Sequence, residues 1–394
     1  MAIAEKIERF MERASWIRKM FEEGARLKAR YGAENVYDFS LGNPNLEPPS
    51  KFREVLQELA RDETPAQHGY MPNAGLPWVR KTVARTISAE QGVELSDNHV
   101  IMTCGAGGAL NVILKTLLNP GDQVIVPAPY FVEYDFYADN HGGSILAVPS
   151  REDFTLDIDA IASAINDRTR AVLINSPNNP TGAVYSAAEI KALAEVLQGE
   201  NRRRKQAVYL ISDEPYRRIV YDGLKVPPVF SAYEHTVIAS SYSKELSLAG
   251  ERIGYIALHP AAEDAGKLMA GMVMCNRILG FVNAPALMQR TVARLQGMAV
   301  NVDAYRRKRD MLCQGLAAAG YSFTRPKGAF YLFPRTPIDD LVFVRELQDK
   351  NILTVPGSGF GRSGHIRISY AVPSKTIERA LPGFQEVGAK YFRR

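Results

Sequence analysis

Lys244 ends the run Ser241-Tyr242-Ser243-Lys244, and Arg252 follows within Gly250-Glu251-Arg252-Ile253-Gly254. A lysine just beyond an apolar β-type run, Val237-Ile238-Ala239-Ser240, can be held where its amine attacks a carbonyl. Hydroxyls before it and a guanidinium after it are groups that bind a phosphate. The segment therefore has the parts of a Schiff-base lysine beside a phosphate anchor. Taken alone, it also reads as an ordinary solvated turn.

Three other segments carry comparable chemistry. Cys104-Gly105-Ala106-Gly107-Gly108-Ala109 lies between an apolar run and a helical stretch, where small residues let backbone N–H groups approach an anion. It is neither Gly-x-Gly-x-x-Gly nor a Walker loop, and tight strand–helix packing would favour the same glycines. Asn175-Ser176-Pro177-Asn178-Asn179-Pro180-Thr181-Gly182 is a rigid loop that offers the Asn179 amide. In Ser212-Asp213-Glu214-Pro215-Tyr216, Asp213 could pair with a cationic ring nitrogen and Tyr216 could donate to an oxyanion. The plain alternative there is an acidic helix cap.

The elements that must position these groups alternate. Apolar runs at 100–103, 123–126, 144–148, 171–175, 208–212, 237–239 and 255–258 read as strands, with helical patterns near 109–118, 132–140, 187–197 and 261–270. Alternation of this kind predicts an α/β fold, a mainly parallel sheet flanked by helices, whose ligands bind beyond the strands' carboxyl ends. A long helical region is predicted over 287–319, followed by an α+β pattern with a strand at 365–369 and a helix near 341–349. We expect a large domain over 46–290 and a smaller one made of 1–45 plus 291–394. The apolar positions Ile3, Ile7, Phe10, Met11, Ala14, Ile17, Met20 and Phe21 predict one amphipathic helix over about 2–30, packed on the body or on a partner subunit.

Bulk properties narrow the classes. A chain of 394 residues, 46% of them hydrophobic, is expected to hold two domains around a sizeable core. A net charge of +5 gives no reason to invoke nucleic acid or a membrane surface, and the basic run Arg202-Arg203-Arg204-Lys205 reads as a solvated loop. Three cysteines, Cys104, Cys275 and Cys313, form no Cys-x-x-Cys pair, so no metal site is expected and a reducing cytoplasmic setting is. No apolar run approaches the ~20 residues of a membrane span.

In combination and order, these segments are far more specific than any one of them. With Leu41-Gly42-Asn43-Pro44 at one end and Arg367-Ile368-Ser369 at the other, the chain resembles the fold-type I pyridoxal phosphate-dependent aminotransferases of class I/II. It is most similar to their prokaryotic aspartate aminotransferase-like branch. The resemblance implies pyridoxal 5'-phosphate as cofactor and a ping-pong cycle between an amino acid and a 2-oxo acid. Lys244 would form the internal aldimine and then move the substrate Cα proton. Asp213 would keep the pyridine nitrogen protonated. Asn179 and Tyr216 would bond the phenolic oxygen, and Phe131 would stack on the ring, with Tyr130 the alternative one register away. Gly105, Ala106, Gly107, Ser241 and Arg252 match the phosphate cup, although Gly107 stands where relatives often carry a polar side chain. Tyr70 matches a tyrosine that reaches the phosphate from the neighbouring subunit, which implies a homodimer with shared sites. Arg367 would grip the substrate α-carboxylate, with Gly42 backbone beside it.

The donor's side chain is not set by these motifs. Arg277 is the candidate reader of a distal carboxylate, as in aspartate or 2-oxoglutarate, with Lys115 a weaker one and a surface arginine the plain reading. A β-lyase on the same fold is the competing enzyme class. A ligand-sensing regulator would need a DNA-binding domain, for which the forty residues before Leu41 are too short.

Overall fold

A computed structural model of the protein describes residues 3–12 and 16–392. Strand β1 (Tyr37–Asp38) comes first. Seven strands then build the main sheet: β2 (Val100–Thr103), β3 (Gln123–Ala128), β4 (Ser144–Pro149), β5 (Thr169–Asn175), β6 (Tyr209–Asp213), β7 (Thr236–Ser241) and β8 (Gly254–Leu258). Four short strands follow: β9 (Tyr331–Leu332), β10 (Ile352–Leu353), β11 (Val355–Pro356) and β12 (Ile366–Ser369). The main sheet has the order β2-β8-β7-β6-β5-β3-β4. All its pairings are parallel except those of β8, which runs antiparallel to both β2 and β7. The expected mainly parallel α/β architecture is the one observed.

Neighbouring strand residues alternate between two cores, as the pleat requires. Met102, Ile125, Val172, Ile174, Leu210 and Ile238 join one core, with Val55 and Leu59 of the helix Ser50–Ala60 and Leu193 and Leu197 of Ala187–Asn201. Ile101, Val124, Val126, Leu173, Ile211 and Val237 join the other, with Val112 and Ile113 of Gly105–Leu117 and Met272 of Ala265–Ile278. Both faces are covered, which is why these strands read as continuous apolar runs. A third core gathers Met20, Phe39, Leu312, Leu316, Phe343, Leu347 and Phe384 around the sheet β11-β12-β9. Because β1 pairs with β10 through Tyr37↔Ile352, the N-terminal segment is built into the C-terminal part.

One helical expectation needs correction. The region 287–319 is not one helix but two, Ala286–Ala293 and Val302–Ala318. Gly297 takes φ 84°, Val300 donates its N–H to the Glu245 carbonyl at 2.7 Å, and the Asn301 side chain caps the second helix. Near the N-terminus, helices span Glu5–Glu12 and Trp16–Tyr31, and Ala14 lies outside the described residues. Phe10 meets Phe136 edge-on with ring centroids 4.9 Å apart, Lys6 pairs with Asp139, and Ile3, Ile7 and Met11 are exposed. No described helix is long and apolar enough to cross a membrane.

Candidate active site

The sheet topology brings distant segments to one edge. Asn175, Asp213 and Ser241 are the last residues of the parallel strands β5, β6 and β7, and Asn175 pairs with Asp213 across the ladder. Strand β2 ends at the same edge, and Gly105 opens the helix Gly105–Leu117 two residues beyond it. Because β8 is antiparallel, its first residue lies here too: Gly254 pairs with both Thr103 and Ser241. Arg252, two residues before β8, is thereby set beside the start of that helix. The left-handed Gly105 (φ 72°) needs glycine, and a Cβ on it would lie 3.0 Å from the Arg252 guanidinium.

A cavity of about 310 Å³ opens at this edge. Gly42, Ala106, Gly107, Phe131, Asn179, Asp213, Tyr216, Ser241, Lys244, Arg252 and Arg367 all line it. Its size lies at the small end of the ~300–1,000 Å³ of small-molecule sites. The Lys244 amine donates to the Gly42 carbonyl at 2.8 Å. Burial, and then the charges of Arg367 and Arg252, bring this amine down to about 8. A lysine so placed is a nucleophile near neutral pH, where an ordinary one is protonated.

Asp213 is buried at the centre of this wall. Tyr134 donates to its Oδ2 at 2.6 Å, and Asn175 donates to its carbonyl at 2.9 Å. The other carboxylate oxygen, Oδ1, is buried with no hydrogen-bond partner among the described residues. Burial pushes the carboxyl up to about 7, against the pull of the Tyr134 hydrogen bond. Arg367 is buried as well. It donates to the Asn179 side-chain oxygen at 3.0 Å and to the Ser40 carbonyl at 2.5 Å, and its guanidinium lies 4.7 Å from the ring centres of Tyr331 and Phe360. Its Nε has no partner among the described residues. Tyr216 shares a 2.9 Å hydrogen bond with Tyr331, and burial raises both phenols, so they stay protonated.

The geometry separates two register alternatives and leaves three candidate residues outside this chain's cavity. Phe131 lines the cavity, whereas Tyr130 is buried with its hydroxyl on Asp135 at 3.1 Å. Tyr70 is 95% exposed and does not line the cavity. Arg277, near the end of the helix Ala265–Ile278, is also exposed and outside it, and the half-buried Lys115 lies outside it too. A distal-carboxylate role for Arg277 is therefore not available from within the same chain.

Comparison with known proteins decides the family. The sequence profile described as aminotransferase class I and II matches residues 34–384. The chain belongs to that family. It is 34% identical over 372 residues to a protein of Thermus aquaticus named a probable aspartate/prephenate aminotransferase, covering 91% of this chain and 93% of the relative. Among solved structures, an aminotransferase from Eubacterium rectale is 38% identical with a TM-score of 0.96 over 100% of both chains. The aspartate aminotransferase of Thermus thermophilus with maleate is 28% identical with a TM-score of 0.86, over 98% of this chain and 100% of that one.

The chain is thus a pyridoxal phosphate-dependent aminotransferase, and its cavity fits that cofactor. Asp213 Oδ1 is an orphaned buried acceptor for a ring N–H, and the lowered Lys244 amine suits a carbonyl. Arg252, Ser241 and the first turn of Gly105–Leu117 offer donors for a phosphate. Sequence reasoning missed Tyr134, Tyr137, Asn175 and Tyr331, all of which line the cavity, as does Ser243. Tyr134 and Tyr137 could have been found from their spacing after Phe131 on one helical face. Tyr331 sits in an apolar run, where a tyrosine reads as core.

Proposed function

We propose that this aminotransferase moves the amino group of an L-amino acid, aspartate among them, to 2-oxoglutarate in a ping-pong cycle. Pyridoxal 5'-phosphate, when bound, supplies a carbonyl for an amine and an electron sink for charge developing at the substrate Cα. The observation that carries the site assignment is the unpartnered Asp213 Oδ1 in the wall of the cavity that also holds Lys244 and Arg367. Asp213 holds a proton at the ring nitrogen. Lys244 would hold the cofactor through its carbonyl carbon, and its amine would move the proton at the substrate Cα. Asn179 and Tyr216 donate to the phenolic oxygen, and Phe131 covers one ring face. Ser241, Arg252 and the N–H groups of 105–107 hold the phosphate. Arg367 binds the α-carboxylate as a bidentate pair, with Gly42 backbone beside it.

Tyr70 and Arg277 enter through a second copy of the chain. The Asn73 side chain donates to the Val282 carbonyl and Asn276 donates to the Asn73 carbonyl, both at 3.0 Å, so the Tyr70 loop is tied to the helix end that carries Arg277. Exposed Met274 and Ile278 on the Arg277 helix, with Trp78 in the helix Pro77–Gln91 that follows the Tyr70 loop, supply apolar surface for a homodimer. A sedimentation mass of one chain would overturn this composite site. Three unpaired cysteines support a reducing, cytoplasmic setting.

The test is a panel of amino donors with 2-oxoglutarate, read by product identity. Aspartate should yield oxaloacetate and glutamate in equal amounts. Release of pyruvate and ammonia from cystathionine without any acceptor, and no 2-oxo acid from any donor, would replace transamination by β-elimination.

A further inference from the structure

Gly107 departs from the polar residue type that the family resemblance implies for the phosphate cup. Its backbone does not ask for glycine, since its φ is not among the positive ones. What limits the position is Tyr137: a Cβ built on Gly107 would lie 3.1 Å from the Tyr137 hydroxyl oxygen. The hydroxyl thus stands where a polar side chain at 107 would reach.

Tyr137 belongs to the helix Glu133–Asp139, one turn after Tyr134, and both rings line the cavity. The helix start is approached from two sides, by the Arg252 guanidinium against Gly105 and by the Tyr137 hydroxyl against Gly107. The hydroxyl has no hydrogen-bond partner among the described residues, although the Arg252 charge reaches it. Burial, with Glu133 and Asp213 nearby, pushes the phenol up to about 12, so it is a donor at neutral pH.

We propose that the Tyr137 hydroxyl is a phosphate ligand of the cofactor, replacing the side chain that Gly107 lacks. This rests on the cofactor assignment made above. It also explains the glycine: a side chain at 107 would crowd the Tyr137 hydroxyl and push it off the place it holds at the helix start.

The experiment titrates cofactor-free wild type, Y137F, G107S and Y137F/G107S with pyridoxal 5'-phosphate and, separately, with pyridoxal, which lacks the phosphate. Affinity is read from the absorbance and fluorescence of the bound ligand, independently of turnover. Y137F should weaken pyridoxal 5'-phosphate about ten- to hundredfold, as for loss of a hydrogen bond to a charged group, and leave pyridoxal unchanged. G107S should also weaken the phosphorylated ligand alone, and this arm reads the same contact should Y137F not fold. The double variant should bind the phosphorylated ligand more tightly than either single one. The proposal is overturned by a Y137F protein that holds pyridoxal 5'-phosphate as wild type does, by equal losses for both ligands, or by a double variant no better than the singles. Wild type that takes up no pyridoxal 5'-phosphate would instead overturn the cofactor assignment itself.

Discussion

Replacing Lys244 by Met should make the cofactor-free protein more stable at pH 7. The amine lies at about 8 in the folded chain against 10.5 for a free lysine, chiefly because burial disfavours its charge. The folded state therefore binds fewer protons than the unfolded one between these values. The penalty is nearly complete below pH 8 and is relieved as pH rises towards 10.5. Its size is at most about 3 kcal/mol, since water in the cavity screens part of it. Methionine removes the penalty and also the 2.8 Å hydrogen bond to the Gly42 carbonyl, a loss of about 1 kcal/mol. The net gain at pH 7 should be about 2 kcal/mol, vanishing near pH ~10 and turning into a small loss by pH ~10.5. Urea unfolding of both apoproteins across pH 6.5 to 10.5 measures the difference, with the other titrating groups cancelling. A wild type more stable than K244M at pH 7, or a difference independent of pH, would refute a lysine whose charge is disfavoured by burial.

Arg367→Ala should lower kcat/KM for every amino acid by about thirty- to a thousandfold, the usual loss when one partner of a buried charge pair is removed, with steady-state kinetics as the check. Gly42→Ala places a Cβ 1.9 Å from the Tyr331 hydroxyl, so Tyr331 or the Gly42 loop must move. A loss of about 1–3 kcal/mol is expected, seen as a lower Tm together with a higher amino acid KM. Arg277→Ala should raise KM for aspartate and 2-oxoglutarate and spare apolar donors. Unchanged values would remove Arg277 as the distal reader.

The sheet was readable because its strands, apart from the edge strand β4, are buried on both faces and flanked by turn residues, and the polar segments at its carboxyl edge followed in order. Asn179, Asp213, Lys244 and Arg367 occupy one cavity because three of them follow β5, β6 and β7 or end them, while Arg367 lies on β12. Periodicity alone ran the helix pattern through Gly297, because apolar residues continue on both sides of the break. The helix Ser374–Ala389 was also missed, its pattern interrupted by Pro382. Tyr331 and Asn175 stayed hidden for another reason. Their chemistry comes from partners far away in sequence, Arg367 for Tyr331 and Asp213 for Asn175, and no local pattern marks such pairs. Gly107 was noticed as a departure, but only the packing of Tyr137 against it explains why glycine stands there.

Every other residue role in the cavity depends on Lys244 as the covalent anchor of the cofactor. Borohydride reduction of the protein loaded with pyridoxal 5'-phosphate, followed by peptide mass mapping, tests this most directly. The reduced cofactor should be found on Lys244 alone, and prior addition of aspartate should abolish the labelling. Label on another lysine, or a loaded protein that yields no labelled peptide, would contradict it.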